Sequence, residues 1–145
     1  MNVRPWFFSS TNMIQNGGIL LLRISSGLSL LMNHGWDKIN AGPDKWTGLG
    51  RTGLMPLGIE SFHTFFGFMA AFSESICAGL VLIGLFTQPA AVLVAGTMFF
   101  AAMYHIKGTG NPESALVYMS LFAAIAAAGP GKYSIDKIFL SKTED

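Results

Sequence analysis

Apolar residues run along the chain in four stretches separated by polar turns: Gly17 to His34, Phe62 to Phe86, Pro89 to His105 and Glu113 to Ala128. The stretches predict helices over about 16–36, 61–86, 88–106 and 113–129. The turns Gly84 to Pro89 and Lys107 to Pro112 are short, which makes successive helices antiparallel neighbours. The expected fold is all-α, an up-down four-helix bundle in a single domain, 1–145. Thr87 is the expected N-cap before Pro89, and Gly129-Pro130-Gly131 stops the fourth helix. Residues 37–60, with Pro43, Pro56 and five glycines, read as a connecting loop. With Trp36 beside it and Trp46, Leu49, Leu54 and Leu57 within it, it is too apolar for a solvated linker, so it is expected along the interface or folded back over the bundle. The polar tail, 131–145, has Ile135, Ile138, Phe139 and Leu140 at the spacing of a short surface helix.

Composition turns this bundle into a membrane protein. Hydrophobic residues make up 51% of the chain and charged ones only 12%, with a mean hydropathy of +0.48. A globule of this size lacks the polar surface to cover four such helices. Crossing a bilayer takes ~20 apolar residues in a helix, a length the second stretch exceeds and the first and fourth reach with their flanks. The N-terminus does not read as a cleaved signal: a polar run follows Arg4, and no small-residue cleavage site follows His34. Trp6, Phe7 and Phe8 beside Arg4 suit an interfacial anchor. The lipid bilayer is thus the first expected partner. A net charge of +1 gives no electrostatic basis for binding nucleic acid. Cys77, the single cysteine, cannot form an internal dithiol relay and reads as a small packing residue.

Each stretch carries or abuts an ionisable residue. Arg23 lies inside the first and Glu74 in the middle of the second; His105 closes the third, and Glu113 opens the fourth. A charge at the centre of a bilayer costs about 2.5 kcal/mol or more, so these residues are candidate site residues. Arg23, Gly27, Leu30, His34 and Lys38 form one helical stripe. With the stripes pointing inward, Arg23 and Glu74 would pair in the interior, either as part of a site or only to fix helix register. His34, His105 and Glu113 would line a vestibule at the face opposite the termini, with His63 and Lys38 at its rim. Lys38 also fits a snorkelling interfacial lysine, and His63 a headgroup residue without a ligand. The ligand-binding candidates are therefore Arg23, His34, Lys38, Glu74, His105 and Glu113, with Glu74, His105 and Glu113 as candidates for chemistry. No closely spaced histidine pair supports a metal site.

These residues lie in a recognisable order. Leu21-Leu22-Arg23-Ile24 with Gly27, His34-Gly35-x-x-Lys38, Glu74 with Gly79, Gly84-Leu85-Phe86-Thr87, His105, and Gly129-Pro130-Gly131-Lys132-Tyr133-Ser134-Ile135-Asp136 together resemble the DoxX-like membrane proteins over Leu20 to Asp136. The resemblance implies four transmembrane helices in a bacterial or archaeal cell membrane and an association with membrane redox systems. Some relatives are subunits of thiosulfate:quinone oxidoreductases. Relatives often have arginine after the threonine of the second turn, where this chain has Gln88. Lysine and arginine divide evenly between the two faces, so loop charge leaves orientation open, with cytoplasmic termini the expected arrangement.

Two functions are expected. One is a subunit of a membrane redox system that carries no cofactor of its own and has a pocket for a quinone or similar small molecule. Histidines could shuttle protons there, and a partner subunit would carry electrons, since no haem, flavin or iron–sulfur motif is present. The other is a non-catalytic scaffold that packs against a partner, or a second copy, through small residues such as Gly67, Ala70, Ala71 and Gly96. Transport has less support, because neither a broken helix nor an inverted repeat is evident.

Overall fold

A computed structural model describes residues 12–108 and 110–141. The expected anchor at Arg4 and Trp6 to Phe8 lies outside the described residues. Helix α1 covers 12–39 and consists of Asn12–Leu30, a single π-turn Leu31–Gly35, and Trp36–Ile39. Then come α2 (Pro43–Leu54), α3 (His63–Ile83), α4 (Thr87–Lys107), α5 (Glu113–Ala128) and α6 (Ile135–Ser141). Helix α3 contains a second π-turn, Ser73–Cys77. The described residues are all-α, with no strand, and α3 and α4 are long and apolar enough to cross a membrane.

The core gathers Leu30 of α1, Cys77, Ala78 and Val81 of α3, Ala90, Ala91, Val94 and Met98 of α4, and Phe122 and Ile125 of α5. Cys77 is buried there as a free thiol, in keeping with a packing role. Outer faces are apolar and exposed, with Leu21 and Leu28 on α1, Phe65 on α3 and Val92 and Phe99 on α4.

The expectation of a connecting loop over 37–60 is corrected, because its centre is helix α2. Pro43 at its start suits the first helical turn, and Trp46 Nε1 donates to the Lys38 carbonyl at 2.8 Å, a second bond beside that from the Ala41 N–H, tying α2 to the end of α1. α1 and α2 run antiparallel to α3 one after the other. Gly27 packs on Ala78 and Leu82, Gly35 on Glu74 and Ser75, and Gly50 on His63 and Gly67. The two helices therefore line α3 from its C-terminal end to its start. The α2–α3 contact is backbone on backbone: a Cβ at Gly50 or Gly67 would fall on the carbonyl oxygen of His63 or Trp46, respectively, at 1.7 and 1.6 Å. Gly50→Ala and Gly67→Ala are each expected to push α2 off α3 and to destabilise by several kcal/mol, on the order of 3. Thermal unfolding in detergent checks this, with exposed Gly48→Ala, which has nothing within 4 Å, as the neutral control.

At the terminal face, the segment after α5 folds back over the α3–α4 turn. Gly84, at φ +77°, ends α3 in a left-handed cap. The expected N-cap at Thr87 is corrected: Thr87 is the first residue of α4, and the capping carboxylate comes from Asp136, 49 residues on. Asp136 accepts from the Phe86 N–H (2.8 Å), the Thr87 N–H (2.9 Å) and the Thr87 hydroxyl (2.8 Å). Its own N–H donates to the Gly84 carbonyl. Burial pushes the Asp136 pKa up. The bonds from the Thr87 N–H, the Thr87 hydroxyl and the Phe86 N–H, with the positive charge of Arg23, outweigh it and hold the carboxyl below the usual range. A lowered folded pKa means that this contribution is present above the unfolded pKa and is lost as pH falls through the folded one. Asp136→Asn is expected to destabilise by about 1 kcal/mol at neutral pH and to flatten the acid limb of a stability–pH profile, measurable by thermal unfolding from neutral to acid pH.

Candidate ligand-binding site

A cavity of about 690 Å³ lies between α2, α3 and α4, with Lys38 at the end of α1 on its wall. Its walls are mainly apolar: Leu54 of α2, Phe66 and Met69 of α3, Leu93 and Phe100 of α4. The polar groups are few: Lys38, Glu74, Thr97, Tyr104 and His105, with Thr52 from α2.

The two π-turns place the central pair. In an uninterrupted helix the inward stripe Arg23, Gly27, Leu30 continues to His34. The π-turn inserts one residue, rotating the remainder of the helix by about 100°. Gly35 becomes the buried position, and His34 is exposed. Gly35 then lies against the Glu74 carbonyl, where any Cβ would collide at 2.1 Å. On α3 the wider turn buries Ser73, Glu74 and Ser75 in succession. Lys38, one turn beyond Gly35, reaches over to Glu74, and its ammonium meets Oε2 at 2.5 Å. The Glu74 side chain is 4% exposed and that of Lys38 is 23%. π-turns of this kind concentrate at functional sites, and here both flank the charged pair in the cavity wall. The Thr97 hydroxyl donates to Ser73 Oγ at 3.0 Å, fixing the α4 wall against the π-turn.

The expected Arg23–Glu74 pair is not formed. The expectation set both residues equally deep by counting from the ends of α1 and α3 as if those ends were level. Because α2 takes over alongside the first half of α3, α1 ends near the middle of α3. Glu74 thus meets Gly35 and Lys38, whereas Arg23 lies beside Val81, about two turns away along α3. Arg23 is 1% exposed, and its guanidinium donates to four carbonyls: Val81 (2.9 Å), Leu82 (3.2 Å), Pro130 (2.8 Å) and Tyr133 (2.9 Å). Two of these lie in the last turn of α3, where the Val81 carbonyl also accepts from the Gly84 N–H at 3.2 Å, and two belong to the fold-back segment. Arg23 is a clamp at the terminal face and does not line the cavity.

Of the other candidates, His105 lines the cavity. His34 and Glu113 do not. The His34 ring packs edge-on against Tyr118 at 5.8 Å, and Glu113 lines a separate groove with Asn111, Ser114, Val117 and Tyr118. His63 Nε2 sits 3.2 Å from the Ile59 carbonyl at the start of α3. Among the described residues no three His, Cys, Asp or Glu side chains gather as a metal-binding group. Sequence reasoning missed Thr97, Tyr104 and the α2 wall. The apolar residues within 37–60 were the signal that this segment packs against something.

The described residues thus form an all-α bundle of apolar helices around an amphipathic cavity, with a Lys38–Glu74 ion pair in its wall. The sequence model of the DoxX family matches residues 18–106, and the chain belongs to that family, a family of membrane proteins. No curated protein and no solved structure matches the chain.

Proposed function

We propose that this protein is an integral membrane four-helix bundle, with α1, α3, α4 and α5 crossing the bilayer, and that its cavity holds a small amphipathic molecule of the quinone type. In this reading it serves as a subunit of a membrane redox system in a bacterial or archaeal cell membrane, its termini facing the cytoplasm. The observation that carries the reading is the apolar cavity with the buried Lys38–Glu74 pair in its wall. Its volume lies within the range of small-molecule sites, and a few polar groups in an apolar lining are what orients such a ligand.

The lining fits a quinone. Among the described residues Lys38 donates one side-chain hydrogen bond, to Glu74, so two of its three N–H groups remain to donate to a ring oxygen. Glu74 Oε1 accepts no hydrogen bond from a described residue and can take one from a hydroxyl. Tyr104 and His105 supply further polar contacts from α4. The quinone would supply two-electron redox chemistry when bound; the chain's part is to bind, orient and exclude water. With Cys77 buried in the core, a partner protein would carry the electrons.

The test is purification in mild detergent, then mass spectrometry of extracted small molecules and of co-purifying proteins. Wild type is expected to retain a quinone-type molecule, counted as quinone plus quinol, with Glu74→Gln and His105→Ala retaining at least about tenfold less. A stoichiometric protein partner with no bound small molecule, unaffected by Glu74→Gln, would replace this reading with the scaffold function.

A further inference from the structure

The free hydrogen-bonding capacity of the buried pair distinguishes the two redox forms of such a ligand. We propose that the site selects the reduced, hydroxyl-bearing form over the oxidised carbonyl form; this rests on the reading of the cavity as a quinone-type site. Lys38 can only donate. Glu74, ionised against it, can only accept. The two groups touch, so one ligand oxygen placed against them meets both.

A hydroxyl oxygen satisfies both at once, accepting from the Lys38 ammonium and donating to Glu74 Oε1. A carbonyl oxygen accepts from Lys38 but offers Glu74 nothing. It also displaces the water that a 4% exposed carboxylate would otherwise keep. Leaving a desolvated charged acceptor unmatched is penalised far more than a hydrogen bond is rewarded. Tyr104 and His105, the other titratable groups lining the cavity, come from α4; each can donate or accept, so neither discriminates between the forms. Helix α2 lines the cavity with no titratable group. Discrimination therefore falls to Lys38 and Glu74.

The expected preference is on the order of 10- to 100-fold. By linkage, a 100-fold preference raises the midpoint potential of the bound two-electron couple by roughly 60 mV, at about 30 mV per tenfold. The site would then draw on a pool reduced elsewhere, and the reaction that supplies its ligand is a quinone reduction.

The experiment measures binding of decylubiquinol and decylubiquinone to the full chain in nanodiscs, under anaerobic conditions, with empty discs subtracted. Wild type is expected to bind the quinol at least about tenfold more tightly. In the double variant Lys38→Met/Glu74→Met, which leaves no orphaned charge, the ratio should fall to about one even if weak binding persists. In Glu74→Gln, whose amide can donate to a carbonyl oxygen or accept from a hydroxyl, it should also fall to about one. Equal affinities in wild type, or tighter binding of the quinone, would overturn the selection while leaving the cavity reading intact. Failure of wild type to bind either compound would overturn both.

Discussion

Arg23→Met is expected to destabilise the protein by roughly 4 kcal/mol or more, since hydrogen bonds from a charged donor contribute about 1.5–3 kcal/mol each and are only partly additive. The substitution keeps the apolar stem but removes the guanidinium donor from the carbonyls of Val81, Leu82, Pro130 and Tyr133, of which Val81 keeps the Gly84 N–H. In the interior of a membrane-type bundle, water cannot readily replace it. Arg23→Lys should recover little, because one ammonium cannot present the planar fork that reaches two helix-end carbonyls and two fold-back carbonyls together. The measurement is the midpoint of thermal unfolding in detergent, with protease sensitivity between Gly129 and Ser134 as a local readout. If Arg23→Met unfolds like wild type, the clamp is dispensable and the terminal fold-back is held by its other contacts, Asp136 on the α4 start and Asn16 on the Lys132 N–H.

The second large effect concerns the buried pair. Lys38→Met is expected to destabilise by about 3 kcal/mol, the low end for breaking a buried pair because Lys38 is partly exposed. Removing Glu74 as well should restore most of that loss, since replacing both charges by apolar groups of similar volume is often neutral. Lys38→Met/Glu74→Met should therefore be nearly as stable as wild type and yet lose most of its retained quinone-type molecule. A pair that served only to set helix register would show the opposite: normal retention in the stable double variant. Comparing the stability cycle with ligand retention separates the two roles that the sequence left open.

Much of this protein was legible before folding. The apolar stretches placed α3, α4 and α5 within a few residues, because a long apolar run between glycine and proline punctuation has few other solutions. Charges inside those runs marked Arg23 and Glu74 as buried and bonded, since neither is tolerated otherwise. The order of motifs, from Leu21-Leu22-Arg23-Ile24 onward, carried the family.

The partners of those charges were decided by tertiary structure. A 3.6-residue period carried through the first helix put His34 inside. The π-turn turned it out and brought in Gly35, and such an insertion leaves no mark in the hydrophobic pattern. Helix α2 was hidden by glycines, which argue against a helix locally but permit a backbone-on-backbone approach to α3 that only packing can reward. Asp136 caps α4 from 49 residues away, a pairing no local spacing announces. The sequence by itself determined which residues must be buried, because burial follows from transfer free energy along the chain. Only the tertiary structure decided what each meets, because register between helices depends on backbone contacts at Gly27, Gly35, Gly50 and Gly67 that act across the fold.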